Sequence, residues 1–127
     1  NAPAPQGAHK MANSLAVGAP TIMKPSEWAP YGTQLVAETI AGALDAAGVP
    51  AGTFQLVHGN SRVGGALVND PRIRAVSFTG GLVGGWGVLP VGGHIEAVGV
   101  VGPCSVGVLV FVAHTARLGQ SRAAGPT

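Results

Sequence analysis

The stretch A-P-T-I-M-K-P-S-E-W-A-P, residues 19–30, contains a short apolar run that changes abruptly to polar residues. Residues 21–23 have the composition of a short buried strand. Pro25 ends that strand because proline cannot donate a hydrogen bond to a sheet ladder. A helical pattern follows over residues 32–47, with Leu35, Ile40 and Leu44 on the apolar face. The stretch therefore predicts a strand followed by a helix.

The same alternation extends on both sides. A helix with Met11 and Leu15 on one face is predicted after a proline-marked turn, with Gly18 as its C-cap. Further along the chain we predict a strand at 54–58, a helix capped by Ser61 that reaches Val68, and a strand at 73–78. Strands joined by helices of this length form right-handed crossovers and a parallel sheet. The predicted fold class is α/β, an incomplete doubly wound, Rossmann-like parallel sheet in the order β-α-β-α-β.

Composition excludes several classes of function. The 127 residues form one domain at most, and a net charge of +2 with 9% charged residues provides no basic stripe for nucleic acid. The apolar stretch 98–113 is interrupted by Gly102, Pro103 and Gly107, so we expect no membrane segment. Cys104 is the single cysteine, and the histidines are scattered, so we expect no disulfide and no metal site. No targeting peptide is visible, and we expect a cytoplasmic protein.

Polar and glycine residues follow two of the predicted strands. Lys24 and Glu27 come after the first strand, and Thr79-Gly80-Gly81 comes after the third. Because ligands of doubly wound sheets lie outside the carboxyl ends of the strands, both groups should face one ligand. A cation, a carboxylate and a glycine turn suit a dinucleotide, since glycine lets the backbone approach a pyrophosphate. The usual G-x-G-x-x-G is absent after the first strand.

Four blocks of sequence, taken in order and spacing, closely resemble the coenzyme-binding domain of the aldehyde dehydrogenase superfamily over residues 1–85. They are N-A-P, T-I-M-K-P-S-E-W-A-P, V-P-A-G-T-F-Q-L-V-H-G and D-P-R-I-R-A-V-S-F-T-G-G. The resemblance implies an NAD(P)-dependent oxidoreductase that oxidises an aldehyde to an acid through a cysteine thiohemiacetal. It also implies an aldehyde substrate and a homo-oligomeric parent protein.

The resemblance assigns roles to individual residues. Asn1 stands at the position of the asparagine that donates a hydrogen bond to the oxyanion. Lys24 and Glu27 match the lysine and glutamate that bind the hydroxyls of the adenosine ribose. A carboxylate can accept from both hydroxyls and would repel a 2′-phosphate, so Glu27 favours NAD over NADP.

The family's F-T-G-S-x-x-x-G turn, which cradles the pyrophosphate, corresponds to Thr79, Gly80, Gly81 and Gly85. Gly81 stands where the family has serine, so a hydroxyl contact is lost and the backbone N–H remains. Thr79 would lie near the nicotinamide. Gly59 resembles the glycine beside the adenine pocket, although a plain turn glycine explains it nearly as well.

The departures from the family are informative. After Gly85 no E-L-G-G or G-Q-x-C element follows, so we assign no catalytic role to Glu96 or Cys104. We therefore divide the chain into a partial NAD-binding domain at 1–85 and an irregular Gly/Val-rich tail at 86–127, either frame-shifted or disordered. The expected function is that of an aldehyde dehydrogenase fragment, inactive as an isolated chain. An inert structural remnant and a weak nucleotide-binding module without catalysis remain as alternatives.

Overall fold

The computed structural model describes residues 3–80, 98–101 and 108–113. Three helices and five strands lie in these ranges and confirm the α/β class. In chain order they are α1 Pro3–Ala16, β1 Thr21–Lys24, α2 Pro30–Ala46, β2 Phe54–Leu56, α3 Ser61–Val68, β3 Ile73–Thr79, β4 Val98–Val101 and β5 Val108–Ala113. None of the described helices is long and apolar enough to cross a membrane.

The strands form one sheet in the order β2-β1-β5-β3-β4. The pairs β1/β2 and β3/β4 are parallel, and β5 runs antiparallel to both of its neighbours, β1 and β3. The three predicted strands, β1, β2 and β3, therefore run in the same direction as expected, but the sheet is mixed because β5 lies antiparallel between β1 and β3. The V-L-V-F-V-A run of β5 is apolar at every position, which suits a strand in the middle of a sheet, but strand direction depends on the connection and not on this pattern.

The prediction of an irregular tail is also wrong for the residues that form β4 and β5. Gly102, Pro103 and Gly107 fall between these two strands, where glycine and proline interrupt the β-branched run. Valine-rich segments with little helical periodicity favour strands. The glycine- and valine-rich composition of this region therefore agrees with two short strands. The other residues of the tail lie outside the described ranges.

Helices cover both faces of the sheet. On one face, the fully buried Met11 of α1 packs with Met23 of β1. Partly buried side chains extend this cluster, namely Leu15, Val36, Ile40, Phe54 and Leu56. On the other face, Val68 of α3 packs with buried residues of β3, namely Ile73, Val76 and Phe78, and with Ile22 and Leu67. Adjacent residues of β1 thus contribute to opposite clusters, as the alternation of a strand requires.

Both ends of α1 are determined by residues close to them in the sequence. Gly18 adopts a φ of +72°, and its N–H donates to the carbonyl of Leu15 at 2.9 Å, which confirms it as the residue that terminates α1. The predicted turn at the chain start is instead the first turn of α1, which begins at Pro3. Proline is tolerated there because the first helical N–H groups have no partner within the helix.

The N-cap of α3 is Asn60, so the prediction of Ser61 is wrong by one residue. Asn60 has an extended backbone, and its Oδ1 accepts a hydrogen bond from the N–H of Arg62 at 3.0 Å. Ser61 is the first helical residue. Asparagine and serine cap helices about equally well, so their order along the chain could not decide between them.

We predict that Asn60→Ala lowers the free energy of unfolding by about 1 kcal/mol, because the N–H of Arg62 loses its acceptor. Ser61→Ala is the matched control and should change it by less than about 0.5 kcal/mol. Urea denaturation followed by circular dichroism measures both. A larger loss in Ser61→Ala than in Asn60→Ala would contradict this capping arrangement.

Candidate functional site

Lys24 is the last residue of β1 and is almost completely buried, with a relative exposure of 6%. Its Nζ donates a hydrogen bond to the carbonyl oxygen of Pro25 at 2.9 Å. Its aliphatic stem runs along α3, since a Cβ placed on Gly64 would lie 3.6 Å from Lys24 Cε. The small residue in α3 therefore leaves room for the lysine between the helix and the end of the strand.

Glu27 lies in solvent close to this buried cation. Burial lowers the pKa of Lys24, and the negative charge of Glu27 partly offsets that effect by raising it. A turn brings the two residues together: the N–H groups of Trp28 and Ala29 donate to the Oγ and the carbonyl of Ser26, each at 3.3 Å. The structure thus places a buried ammonium and an exposed carboxylate close enough to interact electrostatically at the carboxyl end of β1.

Thr79 and Gly80 are buried at the carboxyl end of β3. Across β5, Leu109 is paired with both Lys24 and Phe78, and Val108 is paired with Thr79. Two strand spacings separate β1 from β3, so these strand ends lie about 10 Å apart. The sheet therefore brings Lys24 and Thr79 to the same edge, as the sequence predicted.

The two residues nevertheless occupy opposite faces of the sheet. Directly paired residues point to the same side, so Lys24 shares the α3 face with Phe78. Thr79 alternates with Phe78 and lies on the other face, the face that α1 and α2 cover. A ligand that contacts both side chains must pass over the edge of the sheet.

Two glycines at this edge have a steric reason to be glycine. Gly59 joins β2 to α3 with a φ of +156°, and a Cβ there would overlap the side chain of Val63. A Cβ on Gly80 would overlap the ring of Phe78. The turn geometry alone is sufficient to explain Gly59, and the contact with the Phe78 ring is sufficient to explain Gly80. Asn1, Gly81, Gly85, Glu96 and Cys104 lie outside the described residues.

Lys10 is a residue at the sheet that the sequence reasoning missed. It lies in α1, and its Nζ donates to the Oγ of Ser77 in β3 at 2.8 Å. Burial lowers the pKa of Lys10 from its ordinary value of 10.5 to about 8. The feature of the sequence that could have pointed to Lys10 is that the chain has only two lysines, Lys10 and Lys24. Its contact with β3 spans 67 residues and could not be read from local pattern.

The described histidines form no metal centre. His58 is exposed, and its Nε2 lies 2.6 Å from the Oε1 of Gln34. Over the described ranges, no three side chains of the types that ligate metals come together. His94 and His114 lie outside those ranges.

A sequence profile described as the aldehyde dehydrogenase family matches residues 1–91, which include both polar strand ends described above. The chain belongs to the aldehyde dehydrogenase family. Two relatives, from strains of Staphylococcus epidermidis and Staphylococcus haemolyticus, are provisionally named aldehyde dehydrogenases and are 42% and 41% identical over 81 residues. A Staphylococcus aureus protein with the same provisional name is 41% identical over the same length. No solved structure matches the chain significantly.

The aldehyde dehydrogenase relatives are much longer than the region they share with this chain. The matched segment covers 63% of this chain and 16% of each relative. The chain therefore spans only a small part of the length of the relatives that it matches.

The lowered pKa of Lys10 predicts how the stability of the folded chain depends on pH. Between about pH 8 and 10.5 the folded chain has released this proton and the unfolded chain still holds it, so stability should rise with pH in that window. Lys10→Met removes this contribution and should flatten the rise. Urea midpoints at pH 7.5 and 9.5 measure the difference. Arg62→Met, which removes an exposed cation, should keep the wild-type slope, and an equally flat slope in that control would contradict the assignment.

Proposed function

We propose that this chain carries part of the NAD site of an aldehyde dehydrogenase, with Glu27 and Lys24 binding the adenosine ribose. The observation that carries the proposal is a buried ammonium at the carboxyl end of β1 whose charge interacts with that of the exposed Glu27. Glu27 extends into solvent and can accept hydrogen bonds from two adjacent hydroxyls. Nζ of Lys24 uses one of its three donors on Pro25 and can offer another to a ribose oxygen.

Strand order supports placing a dinucleotide at this edge. A doubly wound, Rossmann-like sheet has the order 3-2-1-4-5, and its ligand lies where the order reverses. In the order β2-β1-β5-β3-β4 the connection from β1 leads outward to β2, and the connection from β3 leads outward to β4 on the other side. The reversal therefore lies between β1 and β3, at the position of β5. Because β5 runs antiparallel, its first residue, Val108, is the one at this edge.

The end of β3 suits a phosphate group. We propose that Thr79, Gly80, Gly81 and Gly85 bind the pyrophosphate, with Thr79 toward the nicotinamide and Gly59 toward the adenine. Gly80 supports this role because it presents backbone without a side chain at a buried strand end. The chemistry that NAD supplies when bound is acceptance of a hydride. The residues of this chain would hold its ribose and its phosphates in place.

The remaining role is that of Asn1. We propose that its amide donates a hydrogen bond to the oxyanion formed from the aldehyde in a complete enzyme, an interaction typically worth about 10²–10³ in rate. The catalytic cysteine and the general base would come from other parts of a longer protein, in which residues 1–85 form part of the coenzyme domain. We propose a homo-oligomeric, cytoplasmic parent.

Calorimetry with NAD tests the ribose site. We expect the chain to give a saturable isotherm and Glu27→Gln to weaken binding at least about tenfold, because two hydrogen bonds to a charged acceptor are weakened. Glu38→Gln on α2 removes the same charge from an exposed position and should leave the affinity unchanged. Binding of NADP should be weaker than that of NAD. Equal affinities for the two variants would overturn the assignment of Glu27.

A second experiment tests the separation of binding from catalysis. We expect no aldehyde-dependent formation of NADH by the isolated chain, since no residue here matches the nucleophile or base of the family. Absorbance of NADH with a short aliphatic aldehyde as substrate measures this. Robust turnover that survives Cys104→Ser would show that another nucleophile is present, and turnover abolished by that change would assign the role to Cys104.

A further inference from the structure

Lys10 and Ser77 form a cluster that the proposed coenzyme site does not use. Nζ of Lys10 lies 2.8 Å from Ser77 Oγ, and both side chains are only partly buried. Ser77 precedes Thr79 by two residues on the same face of β3, so the amine lies about 7 Å along the strand from the proposed nicotinamide end. A partly exposed amine therefore lies close to where the family's reaction would occur.

We propose that Lys10 is a site of reversible imine formation with small aldehydes. The lone pair of Nζ attacks the carbonyl carbon and forms a C–N bond, while a proton passes from nitrogen to oxygen. Loss of water from the resulting carbinolamine forms the C=N bond. The reaction needs no oxidant or reductant, and hydrolysis reverses it.

The position of Ser77 suits this reaction. The hydroxyl oxygen accepts a hydrogen bond from Nζ, which leaves its O–H free to donate to the oxygen of an approaching aldehyde. Ser77 thus holds the amine and can polarise the carbonyl at the same time.

The charge state of Lys10 also favours the reaction. Only a neutral amine has the lone pair that attacks, and burial lowers the pKa of Lys10 to about 8. α1 packs mainly against α2, β1 and β5, and Lys10 also contacts β3 through Ser77. The titratable side chains of these strands and of α2 are Tyr31, Glu38, Asp45, Lys24 and Arg74. His9 is exposed on α1 itself. Burial is the cause of the lowered pKa, and none of these charges contributes to it.

Lys24 provides an internal comparison. Its pKa is lowered as well, but it is 6% exposed and its Nζ is bonded to the carbonyl of Pro25. Lys24 is therefore less accessible than Lys10, and the nearby Glu27 favours its charged form, which cannot attack a carbonyl. Since these are the only lysines in the chain, labelling can be assigned to either by peptide mapping.

The test is reductive trapping. The chain is incubated with propanal and cyanoborohydride at pH values from 6 to 9.5, digested and analysed by mass spectrometry. We expect at least about tenfold more alkylation at Lys10 than at Lys24, with a half-maximal rate near pH 8. Ser77→Ala should reduce the rate at Lys10 about fivefold, the effect of one hydrogen bond. In 8 M urea the two lysines should react equally.

Equal labelling of Lys10 and Lys24 in the folded chain would overturn the proposal, as would a rate at Lys10 that keeps rising at pH 9.5. Lys10→Met with unchanged total lysine adduct would do so as well. Aldehyde as the ligand class rests on the proposed function, but the labelling needs no NAD. Failure of NAD binding with selective labelling would count against the ribose site alone, and the reverse result would count against Lys10 alone.

Discussion

The burial of β1 on both faces is the constraint on which the rest of the structure depends. Met23 is fully buried against Met11 of α1, and its neighbour Ile22 packs into the cluster formed by α3 and β3. A four-residue strand that contributes to two cores requires helices on both sides and strands on both edges. The layered architecture follows from these few residues.

The same constraint creates the polar site. Because side chains alternate along β1, Lys24 must lie on the α3 face with Ile22, where Gly64 provides space for its stem. The strand ends there because Pro25 follows, and the turn that begins at Ser26 places Glu27 in solvent near the lysine. A buried cation is costly in isolation, and the carbonyl of Pro25 and the nearby carboxylate both stabilise it. The alternation of side chains along β1 therefore determines both the packing of the core and the position of Lys24.

β5 is the strand that makes the sheet mixed, because it runs antiparallel to both of its neighbours. It lies between β1 and β3, two strands that are not consecutive in the chain, and pairs with both of them along their length. In doing so it satisfies backbone groups on β1 and β3 that would otherwise be unpaired within the sheet. Any strand in this position would separate Lys24 from Thr79 by the same two spacings, so the width of the candidate site depends on the position of β5 and not on its direction.

Local sequence was sufficient to locate β1, β3 and the three helices, because each has a clear apolar period and a turn residue such as Gly18 at its end. It also placed Lys24, Glu27 and Thr79 at one edge, because residues that follow parallel strands must gather there. Only the tertiary structure decided that Thr79 lies on the opposite face, that β5 runs antiparallel and that Lys10 reaches Ser77. These features depend on register and on contacts between residues far apart in the chain, and no local period of the sequence encodes such contacts.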